Sequence, residues 1–139
     1  MSERFVDWKR PIIEHNRLTE WNWMVSHPEN LILGKNTDIG AFCYLAAHEG
    51  IEIGDDTQIG SHTAIYSLNT IENKKGKVII GRNVRIGSHC TILQGVSIGD
   101  NTIIGAHSLV KDNIPSDCIA FGVPAKVKMF LRSIDDGAV

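Results

Sequence analysis

The most regular feature of the chain is a large aliphatic residue that recurs every six residues and is usually followed by a small one. The recurrence comes in four triplets, at Leu33, Ile39, Leu45; Ile53, Ile59, Ile65; Ile80, Ile86, Ile92; and Ile98, Ile104, Val110. Between triplets the step is eight, fifteen and six residues, so two residues are added at the first junction and nine at the second.

A second column of residues lies two positions before the aliphatic one, and each member is small or β-branched. Its members are Thr37, Cys43, Ile51, Thr57, Thr63, Val78, Val84, Cys90, Val96, Thr102 and Ser108. A period of six with alternation inside it predicts short strands rather than helices. Three equal strands per turn predict a triangular prism whose stacked coils bury both columns. The predicted fold class is therefore all-β, a parallel β-helix of about four coils over residues 31–123.

The two ends of such a prism expose strand edges that need covering. Residues 1–30 carry all three tryptophans and are predicted to form an N-terminal cap segment, with an acceptor-binding element as the alternative. Pro124 is predicted to begin a short C-terminal helix that runs to about Arg132, followed by a tail to residue 139. The nine added residues fall in an inserted loop over residues 67–77, where function often resides, although a tolerated surface insertion is the alternative.

Composition and charge exclude several classes of function. The net charge of −2 provides no basic field for nucleic acid or an anionic membrane, and no apolar stretch suits a signal peptide or a membrane span. We therefore expect a cytoplasmic protein. Three cysteines form an odd set without metal-type spacing, and Cys43 and Cys90 fall in the inward column, where a structural role is expected.

The segment over residues 96–127, VSIGDNTIIGAHSLVKDNIPSDCIAFGVPAKV, is the most specific part of the chain. With the repeat, it resembles the hexapeptide acyltransferases, and it is similar to the ending of maltose and galactoside O-acetyltransferases and of related enzymes of polysaccharide synthesis. The resemblance implies a left-handed coil, a homotrimer, acetyl-CoA bound between neighbouring chains, and a sugar or sugar-nucleotide acceptor. It gives no reason to expect a metal.

The catalytic histidine is where this chain departs from that family. The family carries it in a Thr-His-Pro segment of the loop, where this chain has Thr70, and no histidine occurs from Thr63 through Ser88. Acyl transfer from a thioester needs a base for the attacking hydroxyl or amine, and neutral imidazole suits that task near pH 7. Another histidine must therefore supply the base if the protein is active.

His62, His89 and His107 each follow the middle aliphatic residue of a coil by three positions, so they are expected to form an outward ladder along one corner. A stacked polar column without catalytic function is the alternative. His62 falls where the sugar acetyltransferases carry an active-site asparagine, and it is the first candidate for the base. His48 is the rival: it lies in the two-residue insertion, one position after the catalytic histidine of serine acetyltransferases.

The resemblance also assigns binding positions. Ser88 and Ala106 match residues that line the pantetheine groove, and Lys126 matches a lysine that meets the nucleotide phosphates. In the loop, Asn69, Thr70 and Asn73 are candidate acceptor contacts, although a solvated loop explains each of them equally well.

Two other functions stay open. A non-catalytic assembly module has the same repeat and needs no loop histidine. A γ-type carbonic anhydrase also uses this prism, with zinc held by three histidines, two of them about five residues apart on one chain. Five positions after His62 and His89 stand Ser67 and Gln94, which disfavours that alternative.

Overall fold

The structure, a computed structural model, describes residues 5–131, which are mainly short strands and include the 3-10 helix Pro28–Asn30. The strands follow in sets of three. In chain order they are β1 (Met24–Ser26); β2 (Leu31–Leu33), β3 (Asp38–Ile39), β4 (Tyr44–Ala46); β5 (Ile51–Ile53), β6 (Gln58–Ile59), β7 (Ala64–Tyr66); β8 (Leu68–Asn69), β9 (Lys74–Lys75); β10 (Val78–Ile80), β11 (Arg85–Ile86), β12 (Thr91–Ile92); β13 (Ser97–Ile98), β14 (Ile103–Ile104), β15 (Leu109–Val110); β16 (Cys118–Gly122) and β17 (Ala125–Phe130).

Three sheets form the faces of the solenoid. Sheet A has the order β1-β4-β7-β12-β15, sheet B the order β13-β10-β5-β2, and sheet C the order β17-β16-β14-β11-β6-β3. The pairings between successive coils are parallel and keep the aliphatic column in register, as with Ile59 beside Ile86 and Ile65 beside Ile92. The predicted all-β solenoid is thereby confirmed, whereas its left hand stays a prediction from the resemblance.

Both predicted columns point into the prism. Every residue of the aliphatic column and every residue of the small column is buried. Glycine after the aliphatic residue allows the coils to approach closely at the corners. A Cβ on Gly60, for example, would lie 2.5 Å from the backbone nitrogen of Ser88 in the next coil. Stacking of the coils therefore depends on both the bulk of one residue and the smallness of the next.

The N-terminal segment extends the prism as well as covering it. Strand β1 pairs in parallel with β4, and Trp23 and Val25 join the hydrophobic core. Phe5 is also buried, whereas Ile12 is 83% exposed. None of the helical segments in residues 5–131 has the length and apolar character needed to cross a bilayer.

The predicted C-terminal helix is wrong for the residues that the structure describes. Residues 125–130 form strand β17, which pairs antiparallel with β16. Without β17, the outer edge of β16 would present unpaired backbone groups. A hairpin satisfies them, whereas a helix would not. Arg132 and the predicted tail lie outside the described residues.

Candidate functional site

The corner between sheets C and A carries the predicted histidine ladder. The imidazole rings of His62 and His89 stack with centroids 4.6 Å apart and planes 3° from parallel, and those of His89 and His107 stack at 5.0 Å and 9°. Phe42 continues the column, with its ring centroid 5.4 Å from that of His62. All four side chains are exposed at the surface. The ladder predicted from the spacing is confirmed.

Backbone geometry fixes the ladder. Each member has a positive φ, between 57° and 64°, which turns the chain from one sheet to the next. The backbone N–H of His89 donates to the carbonyl of Ser61, and that of His107 donates to the carbonyl of Ser88, both at 3.0 Å. The histidines therefore adjoin a column of small residues that includes Ser88 and Ala106.

A shallow groove of about 490 Å³ runs over sheet C beside this column. Glycines and small residues form much of its floor, among them Gly60, Ser61, Gly87, Gly105 and Ala106. The candidate Lys126 lies on β17 at the edge of the same sheet, exposed, with its Nζ 4.0 Å from Oδ2 of Asp112. The groove gives a ligand access to the backbone of several coils and has a cation near one end.

The corner between sheets A and B carries both insertions. The backbone N–H of Glu49 donates to Oγ of Ser67 at 2.9 Å, and Lys75 Nζ lies 3.8 Å from Glu49 Oε1. The short insertion and the longer loop are therefore in contact. His48 is half-buried here, and its Nδ1 is buried without a hydrogen-bond partner among residues 5–131.

Sequence reasoning missed a second group of histidines around His48. The ring centroid of His27 lies 4.5 Å from that of His48 and 4.8 Å from that of His15. The backbone N–H of His27 donates to Nδ1 of His15 at 2.9 Å. Hydrogen bonds from its own backbone amide and from His27 lower the pKa of Glu29 beside this group. Residues 5–30 have no repeat from which the register of β1, and hence this contact, could have been predicted.

The loop residues lie at the same corner as His48. Strands β8 and β9 pair as a small hairpin, and Asn69 bonds to the backbone and side chain of Glu72 at 3.2 and 3.1 Å. Thr70 and Asn73 are exposed. Strand β7 separates this loop from His62, and the five residue steps from His62 to Ser67 span roughly 16 Å of extended backbone. One chain therefore brings His48, and not His62, close to the loop.

Within residues 5–131, no group of three or more His, Cys, Asp or Glu side chains is arranged to hold a metal ion.

Comparison with known proteins accounts for the repeat. Residues 77–112 match the family described as bacterial transferase hexapeptide (six repeats), and residues 30–66 match the hexapeptide repeat of succinyl-transferase. The galactoside O-acetyltransferase of Lactococcus lactis is 38% identical over 120 residues, which cover 74% of this chain and 56% of that protein. The chain spans less than two thirds of the length of the curated relatives it matches.

Solved structures agree in fold. A galactoside acetyltransferase in complex with coenzyme A has a TM-score of 0.75 at 29% identity, covering 89% of this chain and 66% of that one. A mutant of AntD, an N-acyltransferase from Bacillus cereus in complex with dTDP-4-amino-4,6-dideoxyglucose and coenzyme A, has a TM-score of 0.57 at 28% identity, covering 84% and 74%. Both matched segments are hexapeptide repeats of transferases, so the repeat of this chain is the one found in hexapeptide-repeat acetyltransferases.

Proposed function

We propose that this protein transfers an acyl group, most simply acetyl, from coenzyme A to a hydroxyl or amine of a sugar or sugar nucleotide. The observation that carries the proposal is the groove over sheet C. A column of small residues that includes Ser88 and Ala106 lies there beside an exposed histidine ladder. Similarity to a galactoside acetyltransferase solved with coenzyme A supports the donor, and similarity to AntD supports the class of acceptor.

Ser88, Ala106 and Lys126 are proposed to hold coenzyme A. Ser88 and Ala106 keep the corner narrow, so the pantetheine arm can approach backbone amide and carbonyl groups of successive coils. The ammonium of Lys126 provides a positive charge for the phosphates, since Lys binds phosphate as a point charge. In this arrangement the thioester lies near the ladder and the nucleotide lies toward the C-terminal hairpin.

His62 is the proposed general base. Its ring is exposed, so an acceptor can reach it. Neutral imidazole takes the proton of the attacking hydroxyl or amine as the acyl–oxygen or acyl–nitrogen bond forms. The acyl–sulfur bond then breaks, and the imidazolium returns the proton to the thiolate, giving free coenzyme A. His48, with its unpaired Nδ1 at the loop corner, is the alternative base.

A homotrimer is proposed to complete the site. His62 precedes strand β7 and the loop residues Asn69, Thr70 and Asn73 follow it, at opposite corners of sheet A, so one chain cannot place them around a single acceptor. Closed threefold symmetry can place the loop corner of one chain against the ladder corner of its neighbour. Exposed apolar residues on sheet B, Ile32 and Ile79, provide area for such an interface.

Variants at the two candidate histidines test the base. Release of free coenzyme A would be measured with amino-sugar nucleotides and oligosaccharides as acceptors. His62→Ala is expected to lower kcat about 10²- to 10⁴-fold while keeping acetyl-CoA binding. His89→Ala is the matched control from the same ladder and is expected to keep most activity. If His48→Ala loses activity and His62→Ala keeps full activity, His48 is the base instead of His62.

A further inference from the structure

A second cavity, of about 470 Å³, lies between the N-terminal segment and the first strand of sheet C. Its volume is in the range of small-molecule sites. Three tryptophans line it, together with two N-terminal carboxylates and one ammonium: Trp8, Trp21, Trp23, Asp7, Glu20 and Lys9. Aromatic walls with a few charged groups at the rim are typical of a ligand site rather than of a simple cap.

Hydrogen bonds hold the aromatic walls in place. The indole Nε1–H of Trp8 donates to the carbonyl of Thr37 at 2.8 Å, which ties the ring to the prism. The buried hydroxyl of Thr19 accepts from the backbone N–H groups of both Trp21 and Trp23, each at 3.3 Å. The indole of Trp23 itself is buried in the core. The cavity is therefore formed before any ligand arrives.

Trp21 is the least explained residue of the cavity. Its side chain is 46% exposed, although it stands on a turn that Thr19 fixes in place. Folding alone gives no advantage to a large aromatic ring held out toward water. An accessible indole face at the wall of a cavity suits stacking against a flat, weakly polar surface of a ligand.

We propose that this cavity binds the ring of a neutral sugar or an amino sugar and is the acceptor subsite of the proposed transferase. The C–H face of a pyranose can stack on Trp21, and its hydroxyl or amino groups can donate to the carboxylates of Asp7 and Glu20. With one ammonium against three carboxylates, those of Asp7, Glu20 and Asp38, the cavity disfavours an anionic sugar. The identification of the ligand as an acceptor rests on the proposed function.

The cavity lies at one end of the candidate active site. Asp38 borders both this cavity and the groove over sheet C. The carbonyl of Asn22, on the tryptophan turn, accepts from the backbone N–H of Phe42 at 2.6 Å, and the Phe42 ring contacts His62. A sugar bound here would therefore extend toward the imidazole proposed as the base.

Tryptophan fluorescence tests the subsite without any acyl donor. The protein would be titrated with methyl glucoside, methyl galactoside, glucosamine and glucuronic acid, and acetyl-CoA binding would be measured separately by calorimetry. We expect saturable binding of a neutral or amino sugar at millimolar concentration, and a Kd for Trp21→Ala weaker by about tenfold or more. Trp21→Phe should retain part of the affinity, and Ile12→Ala, which removes an exposed apolar side chain outside the cavity, should retain all of it.

The two proposals fail in different ways. Absence of saturable binding by any of the four sugars, or equal Kd values for wild type and Trp21→Ala, would overturn the subsite even if acetyl-CoA still binds. Tighter binding of glucuronic acid than of the neutral sugars would overturn the assigned sugar class. Sugar binding that depends on Trp21 with no acetyl-CoA binding would support a sugar site while removing its role in acyl transfer.

Discussion

At the scale of single residues, the small column also forms hydrogen bonds inside the prism. Hydroxyl and thiol groups in it donate to carbonyls at the corners of the prism: Thr57 Oγ1 to Gly81 at 2.8 Å, Cys43 Sγ to Gly60 at 3.1 Å and Cys90 Sγ to Gly105 at 3.2 Å. Ser108 donates to the same carbonyl of Gly105 at 2.7 Å. Buried polar groups need such partners, which explains why threonine, serine and cysteine recur at this position.

The buried thiols should make the protein less stable at alkaline pH. Burial raises the pKa of Cys43 and of Cys90, an effect that hydrogen bonds from neighbouring backbone groups reduce only in part. Above about pH 8.5 the unfolded thiols lose protons that the folded thiols keep, so the free energy of unfolding should fall as the pH rises. Urea unfolding of wild type and of Cys43→Ser/Cys90→Ser between neutral and alkaline pH measures the effect. An equal dependence of the free energy of unfolding on pH in the two proteins would contradict it.

The core column gives a second prediction at this scale. Ile65 is fully buried in the second coil, whereas Ile71 at the loop tip is 94% exposed. Ile65→Ala should lower the free energy of unfolding by about 2–5 kcal/mol, because it leaves a cavity between stacked coils. Ile71→Ala removes the same atoms from a solvated position and should change it by less than about 0.5 kcal/mol. Denaturant unfolding curves compare the two, and similar losses would contradict the assigned core.

At the scale of elements, the sequence predicted the parts that repeat and failed where the repeat ends. The corner turns and the histidine ladder follow from a period of six because the same geometry recurs in each coil. Strand β1 and the contact of His27 with His48 could not be predicted, since pairing of a non-repeating segment depends on tertiary contacts. Pro124 suggested the start of a helix. Pairing with the otherwise free edge of β16 outweighed that local propensity, and the segment forms a strand.

The inserted loop can be tested as an element. The backbone N–H of Gly76 donates to the carbonyl of Ser67 at 2.9 Å, so the loop closes at its base and residues 68–75 protrude. Replacing those eight residues with an Asn-Gly turn should preserve thermal stability and acetyl-CoA binding while abolishing transfer to a sugar. Thermal unfolding, calorimetry and the transfer assay measure the three properties. Full transfer by the shortened protein would show that the loop is a surface insertion without a role.

At the scale of the whole molecule, we propose that a single chain holds two half-sites. The ladder and groove lie at the corner where the strands of sheet A begin, and the insertions with His48 lie at the corner where they end. The corner at which each candidate residue lies follows from motif and spacing, which are local properties. How the two corners would meet in the proposed trimer cannot be predicted in this way, because it depends on the surfaces of different copies.

Mixing two inactive variants tests whether neighbouring chains share the site. His62→Ala retains the loop, and the shortened-loop protein retains His62. In randomly mixed trimers from equal amounts, about one interface in four combines an intact ladder with an intact loop, so activity should recover to about a quarter of the wild-type level. Each variant alone should stay inactive. No recovery, in mixtures that ultracentrifugation shows to be trimeric, would contradict a shared site.

Calorimetric titration of acetyl-CoA into the purified protein tests the central claim most directly. The account predicts saturable binding of about one acetyl-CoA per chain, with Ser88→Trp, which fills the small-residue corner, binding at least about tenfold more weakly. Absence of binding at millimolar acetyl-CoA would contradict the transferase account, and the non-catalytic assembly module would then explain the same fold.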